Sequence, residues 1–399
     1  MTPESLLDAA DRCVKCGVCL PHCPTYRVYR DEAESPRGRI ALIQAMVGGQ
    51  LEASQQLRRH LEHCLLCRNC EKACPSLVQY GALMDAARAR LAGDRRPGWL
   101  LSLLTDRRRL GVAVGLGAKF QRSPLRKALP GTWRRMARWA LRAARQPVNE
   151  VRPPEGGRGR VLIFTGCVSA VIDRNLISAA RRLLETLGYA VTETDEPQCC
   201  GAMHLHSGYA AEAGRLLERT CNLLGRSGVD AVLSVASGCG ARLVEDAGLD
   251  VPVRDIGGFL ADVEWPDDLL RTMPPATVAL HQPCTLRNVM GEAPQVLRLL
   301  ERFRSVTVIP LDGGCCGGAG MHLVEHPDLA ASVAGPLIER LRDTPVDHLL
   351  TSNTGCSLHL ATEAAAAGLT VRVAHPVEFI ATQLGIWPGP TAHTGTDHD

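Results

Sequence analysis

The sequence predicts a mixed α+β and α/β multidomain chain. A small helical N-terminal domain comes first, then a basic helical connector, then two pseudo-repeated α/β lobes with mostly parallel sheets. Three observations predict it. Eight cysteines near the start form two copies of one pattern, each Cys of the second copy 51 residues after its counterpart. Eight more form a second duplicated pattern, with offsets of 117, 116, 116 and 117 residues. Around this second set, short β-branched runs alternate with helical stretches, the signature of parallel α/β sheets. The 399 residues are 45% hydrophobic and 22% charged, which suits two or three folded domains and excludes wholesale disorder. The expected boundaries are 1–94, 95–158, 159–274 and 275–390, with a polar disordered tail at 391–399.

In the N-terminal domain, Cys13, Cys16, Cys19 and Cys23 precede Pro24, and Cys64, Cys67, Cys70 and Cys74 precede Pro75. Each copy reads C-x2-C-x2-C-x3-C-P, the bacterial ferredoxin run that ligates a 4Fe–4S cube. Three thiolates two residues apart wrap one face of a cube, and Pro directs the fourth away. In two-cluster ferredoxins the fourth Cys ligates the other cluster. Cluster one is therefore expected on Cys13, Cys16, Cys19 and Cys74, and cluster two on Cys64, Cys67, Cys70 and Cys23. Four-cysteine zinc sites usually pair two short knuckles across a long spacer, which is not this pattern.

The connector is set apart by charge. Residues 95–160 hold 17 Lys+Arg against three acids, Asp106, Glu150 and Glu155, a net of +14 in a chain whose total is +3. Trp99, Trp133 and Trp139 lie here, and the stretch from Trp133 to Arg142 is basic and amphipathic. Such a segment docks on an anionic membrane or an acidic partner, or it forms solvated helices between domains. Nucleic acid is not expected, because no recognised binding module accompanies the charge. The apolar run from Leu110 to Ala118 is far shorter than the roughly 20 residues of a membrane span. Pro147, Pro153-Pro154 and Gly156-Gly157 mark a linker.

The lobes carry the second duplicated set. Copy one is Cys167, the vicinal pair Cys199-Cys200 before Gly201, and Cys239. Copy two is Cys284, Cys315-Cys316 before Gly317, and Cys356. Strands are expected at 160–164, 231–235, 276–280 and 348–351, with helices at 175–187 and 292–303. Each strand leads to a key Cys, so each cysteine falls at the carboxyl end, where open α/β sheets build their sites. The four cysteines of each copy can then converge. Three readings stand for them: an additional iron–sulfur or other metal centre, a zinc or redox dithiol site, or inert thiols. Gly201 and Gly317-Gly318 suggest a tight backbone approach. His359, three residues after Cys356, is a possible ligand, and Arg242 stands at the same place in copy one. His206 and His322 follow the two CCG turns and are weighed as ligands against surface or capping roles. Cys221 is left over and expected as a small buried hydrophobe.

No G-x-G-x-x-G follows a strand and no G-x-x-x-x-G-K-[ST] occurs, so no flavin, NAD or nucleotide site is expected in this chain. No secretory signal is read at the start, where Glu4 and Asp8 interrupt any apolar run. The 17 cysteines are then expected in a reducing compartment, where they point to metal or redox chemistry. Oxidising an organic substrate removes two electrons, a step flavin or nicotinamide normally performs. The chain therefore reads as an electron-transfer subunit fed by a separate flavoprotein.

The sequence resembles the iron–sulfur subunit of bacterial glycolate oxidase (glycolate dehydrogenase) over nearly its whole length. The resemblance rests on Ser35-Pro36-Arg37-Gly38-Arg39-Ile40, Cys64-Leu65-Leu66-Cys67-Arg68-Asn69-Cys70-Glu71, Cys199-Cys200-Gly201-Ala202, Ala236-Ser237-Gly238-Cys239-Gly240-Ala241, Pro283-Cys284-Thr285-Leu286, Cys315-Cys316-Gly317-Gly318-Ala319-Gly320 and His326-Pro327-Asp328-Leu329-Ala330. The wider group joins two ferredoxin motifs to two cysteine-rich CCG domains. It includes subunits of lactate-oxidising, glycerol-3-phosphate-oxidising and heterodisulfide-reducing complexes. The resemblance implies an FAD-containing glycolate oxidase subunit and a second flavoprotein-like subunit as partners. It also implies electron exit to the quinone pool and a cytoplasmic place at the inner face of the membrane. Heterodisulfide reductases end each full motif in C-x-x-C. Here Arg242 and His359 replace the second Cys, so their catalytic cluster is not expected, and the alternatives are a lactate, other 2-hydroxy-acid or glycerol-3-phosphate dehydrogenase subunit and a heterodisulfide-reductase-like thiol–disulfide catalyst.

Overall fold

Side-chain capping starts the helices of the N-terminal domain. In the computed structural model, which describes residues 2–93, 97–121, 157–192, 196, 198–311 and 314–388, Ser35 accepts the Gly38 N–H ahead of helix Pro36–Val47, and Pro36 occupies its first turn. Ser54 caps helix Gln55–Glu62 in the same way. These two helices, with Pro3–Asp11 and Tyr80–Ala92, bury Leu6, Ile43, Leu61, Leu83 and Met84 beside the cysteines. Each such side chain contributes about 1.5–3 kcal/mol by leaving water.

Each lobe is a four-stranded, all-parallel sheet with helical crossovers. In the first, β1 (Gly159–Phe164), β2 (Tyr189–Thr192), β3 (Ala231–Ser234) and β4 (Val253–Asp255) lie in the order β2-β1-β3-β4. In the second, β5 (Ala276–Leu280), β6 (Val306–Pro310), β7 (His348–Leu350) and β8 (Arg372–Ala374) repeat that order as β6-β5-β7-β8. Leu162 pairs with Val232 as Ala279 pairs with Leu349, so the central register is the same in kind. Helix Arg174–Thr186 buries Leu176, Ala179, Ala180, Leu183 and Leu184, a stripe at i, i+3, i+4, i+7 and i+8. Gly188 follows it at φ 89°.

The lobes exchange helices. Ile256–Asp262, after β4, packs on Ala293–Glu301 of the second lobe, and Pro376–Gln383, after β8, packs on Arg174–Thr186 of the first. One apolar cluster therefore runs through both, from Ile163 and Leu183 to Leu299, Phe303, Phe379 and Trp387.

The N-terminal domain docks on this pair. Arg88 donates to the carbonyls of Leu61 and Cys64 in its own domain and of His206 in the first lobe. Arg68 pairs with Glu245, and Asp85 with His206. Of the basic connector, helices Trp99–Thr105 and Arg107–Gln121 are described, with Trp99, Val112 and Leu116 exposed. The amphipathic stretch 133–142, Pro147, Pro153-Pro154 and the tail 391–399 lie outside the described residues. Among the described residues no helix is long and apolar enough to cross a membrane.

Candidate functional site

The two ferredoxin runs are conformational copies. Lys15 and Gly17 adopt left-handed φ values of 57° and 85°, and their counterparts 51 residues on, Leu66 and Arg68, adopt 50° and 58°. These left-handed residues tighten each loop so that its cysteines face one side. Cys13, Cys16 and Cys19 line a pocket together with Cys74 and Cys70 of the second run. Around the second run, burial pushes the Cys70 thiol well up, and so do Cys67, Cys64, Cys23 and Cys19. The structure thus brings Cys74 and Cys70 to the first run, and Cys23 and Cys19 to Cys70 of the second.

The sulfurs of the second group have supporting donors. Leu66 N–H and Tyr80 O–H point at Cys64 Sγ, at 3.5 and 3.8 Å. Thr25 Oγ1 lies 3.3 Å and Arg39 Nη1 4.0 Å from Cys23 Sγ. Arg39 is fully buried. It also donates to the carbonyls of His60 and Glu34, to Thr25 Oγ1, and to the Glu34 carboxylate at 2.5 Å. Burial alone would raise the Glu34 carboxyl, but hydrogen bonds from His63 and His60 and the Arg39 charge hold it below its usual value. Sequence reasoning gave Arg39 no role, although it lies in the Ser35–Ile40 segment that carries the resemblance. Crowded thiols that raise one another's proton affinity, with N–H and O–H donors aimed at sulfur, fit thiolate ligation of a cationic iron–sulfur core.

In the lobes the cysteines converge at the carboxyl ends of β1, β2, β3 and of β5, β6, β7. Cys167 and Cys199 sulfurs stand 3.7 Å apart, and the Cys200 thiol, with burial, pushes the Cys239 thiol well up. Cys316 and Cys356 sulfurs stand 2.6 Å apart, and the Cys316 thiol, with burial, pushes the Cys315 thiol well up. Cys284 joins them, its thiol pushed up to about 12 by burial and then by Cys315. Among the described residues no group of three or more His, Cys, Asp or Glu is drawn together to single-ion distance.

The two sites adjoin across the lobe interface. Ser169, after Cys167, bonds to Thr354, before Cys356, at 2.6 Å. Ser237, before Cys239, bonds to Thr285, after Cys284, at 2.8 Å. The first-cysteine loop of each lobe is thus tied to the last-cysteine loop of the other.

Several expected residues have specific partners. Gly201 and Gly317 have φ 74° and 72°. A Cβ on either would meet the carbonyl oxygen of Ala213 at 2.5 Å or of Ala330 at 2.3 Å. The tight approach read from the sequence is therefore to helix backbone. His359 places Nδ1 on the Cys316 carbonyl at 2.5 Å and Nε2 3.6 Å from Glu363. Arg242 pairs with Asp246. His206 is taken by Asp85. His322 is buried, no hydrogen bond reaches either ring nitrogen, and burial and then His326 push it down to about 3. Cys221 is half-buried against the apolar cluster of Leu162, Phe164 and Leu217.

A contact unseen in the sequence joins the two kinds of site. Burial, then Cys315 and Cys284, push the Cys67 thiol well up, which places the second ferredoxin run beside the second lobe's cysteines. Leu65 packs on Leu329, Val333 and Cys315. Asn288 donates to the Cys67 carbonyl and, with Arg287, to Asn69 Oδ1, at 2.7–3.0 Å.

Comparisons with known proteins agree with this architecture. A 4Fe-4S dicluster domain model matches residues 9–78, and a cysteine-rich domain model matches 161–244 and 278–361. The chain is 33% identical to the glycolate oxidase iron-sulfur subunit of Escherichia coli (strain K12), over 96% of this chain and 95% of that one. It is 30% identical to the probable glycolate oxidase iron-sulfur subunit of Bacillus subtilis (strain 168), over 94% of each. It is 24% identical to one of the subunits of the dihydromethanophenazine:CoB–CoM heterodisulfide reductase of Methanosarcina barkeri, again over 94% of each.

Proposed function

Because the chain belongs to the family of the glycolate oxidase iron–sulfur subunit, we propose that it is the electron-relay subunit of a glycolate-oxidising complex. It takes electrons from an FAD-containing subunit, as glycolate becomes glyoxylate, and passes them toward quinone. Its part is electron transfer within an oxidoreductase, and it is not catalytic alone. The observation that carries this reading is the packing of the second ferredoxin run, through Leu65 and Cys67, against the cysteine-bearing loops of the second lobe, which supports an electron path between the two.

A 4Fe–4S cube, when bound, passes one electron at a time at a potential set by its surroundings. Cys13, Cys16, Cys19 and Cys74 are the ligands of one cube, and Cys23, Cys64, Cys67 and Cys70 of the other. Pocket membership supports the first set and mutual electrostatics the second. Tyr80 and the Leu66 amide steady Cys64, Arg39 and Thr25 steady Cys23, and Leu65 keeps water from the second run. The lobe cysteines hold at least one further metal centre, with His359 fixing the Cys316 carbonyl beside it. Soft donors paired at the strand ends, Cys167 with Cys199 and Cys316 with Cys356, support this. Exposed Trp99, Val112 and Leu116 next to Arg107, Arg108 and Arg109 support a peripheral place on the anionic inner face of the cytoplasmic membrane. A second flavoprotein-like subunit completes the complex.

The purified chain with glycolate and a redox dye should show no turnover, and adding the FAD subunit should produce it. Cys67→Ser should leave flavin reduction by glycolate intact and stop onward transfer. Glycolate-dependent dye reduction by the flavin-free chain refutes the relay. Iron beyond the content of two cubes, lost in Cys356→Ser, is expected of the lobe centre.

A further inference from the structure

The duplicated ferredoxin loops share a backbone but differ in what covers them. Val14 and Leu65 are counterparts, 51 residues apart, and each precedes a left-handed residue of its loop. Leu65 is 6% exposed because Leu329 and Val333 of the second lobe cover it, whereas Val14 is 69% exposed. Asn69 is gripped by Arg287 and Asn288, and its counterpart Val18 is 45% exposed. Leu77, between Ser76 and Val78 of the first pocket's lining, is 70% exposed and held at φ 51°. One copy of the loop is thus docked on a cysteine-bearing domain of this chain. The other presents the same backbone, with apolar side chains at its tip, to solvent.

The bare copy also carries two exposed cations at its edge. Arg12 and Lys15 flank Cys13 and are exposed, and among the described residues no ion pair engages them. Of the nearby acids, Glu32 pairs with Arg37, and Asp11 accepts from the Gln44 amide.

We propose that the loop bearing Val14 and Val18, with Leu77 beside it, is the docking surface for the FAD-containing subunit. That subunit would meet it with an apolar patch, as Leu329 and Val333 of the second lobe meet the other copy, and with carboxylates at the rim to answer Arg12 and Lys15. This rests on the relay reading above and adds to it the place of entry. A burial of that kind excludes water from the most exposed cysteine group, whose Cys16 is itself exposed. It also orients the two redox groups through apolar contact at the centre and charge at the rim, the usual anatomy of a specific interface.

The test titrates the cluster-loaded chain with the FAD subunit and reads the dissociation constant, with iron content and reduced-state EPR as checks on integrity. Val14→Asp should weaken binding at least tenfold, because it places an uncompensated charge at the centre of the contact. Arg12→Glu with Lys15→Glu should weaken it about as much and flatten its dependence on ionic strength. Val244→Asp, an exposed apolar position on the first lobe, should change affinity less than twofold. Unchanged binding by both loop variants, with clusters intact, overturns the docking surface and leaves the relay reading standing. No binding by the unaltered chain overturns both.

Discussion

Replacing Arg39 by Met tests how the protein supports the second ferredoxin group. The guanidinium is buried, its side chain 1% exposed, and its ion-pair partner Glu34 is 4% exposed. Removing the cation leaves Glu34 charged and enclosed, with only His60 and His63 to answer it. It also strips donors from the carbonyls of Glu34 and His60. Breaking a buried pair from one side costs about 3–5 kcal/mol, since the remaining charge stays desolvated. Arg39→Met with Glu34→Leu should recover much of that loss, because both charges leave together.

A second effect acts on potential. Arg39 Nη1 lies 4.0 Å from Cys23 Sγ. A lone charge at that distance is worth about 4 kcal/mol at an effective dielectric of about 20. Glu34 offsets most of it, so the expected change is on the order of 1 kcal/mol, roughly 40 mV for a one-electron couple. Losing a cation disfavours the more negative, reduced state, so the potential should fall. Urea-dependent release of iron to a chelator reads the stability, and a potentiometric EPR titration reads the potential. A loss under about 1 kcal/mol, together with an unmoved potential, would refute this account.

Cys23→Ser should disturb the EPR signal of the group holding Cys64, Cys67 and Cys70, and a change confined to the Cys13/Cys16/Cys19 signal would show that ligation is not crossed. Asp255 is fully buried, and burial and then Glu292 push its carboxyl up to about 7, so the folded chain keeps a proton that the unfolded chain has released. Its contribution is complete below about pH 4 and is lost as pH rises to about 7, on the order of 4 kcal/mol in all. Asp255→Asn keeps an acceptor for the Gly257 and Gly258 amides, so it should flatten the fall in urea midpoint over that range; an unchanged slope would count against the buried acid.

Local spacing carried much of the site into the sequence. The C-x2-C-x2-C-x3-C-P runs and the near-constant offset of the lobe cysteines are visible without any tertiary knowledge, and so are the short strands ahead of Cys167 and Cys284. Contacts between distant segments were not legible. Nothing near Cys67 in sequence points to Cys284 or Cys315, because docking of one domain on another depends on shape rather than periodicity. Nothing in the sequence marks Arg39 as buried, and only the fold surrounds it with Glu34, Thr25 and His60. Gly201 and Gly317 announced a close approach correctly, but only packing reveals that Ala213 and Ala330 make it. The helix exchange between lobes has the same cause, since Ile256–Asp262 carries no mark of the lobe it covers.

Duplication separates what builds the scaffold from what adapts it. Where the copies agree, the agreement has a steric reason. Gly201 and Gly317 admit helix carbonyls at the same place, and Lys15 and Leu66 bend their loops alike. Where they differ, the difference follows what each copy touches. Leu65 lies under Val333 while Val14 is bare, and Arg242 reaches Asp246 while His359 holds the Cys316 carbonyl. The internal ferredoxin copy carries Asn69, held by Arg287 and Asn288. The outer copy carries Val18 at that position and a basic edge at Arg12 and Lys15. An electron route needs one end fixed within the chain and one end free to meet a partner, and the two copies of a single loop divide those requirements between them.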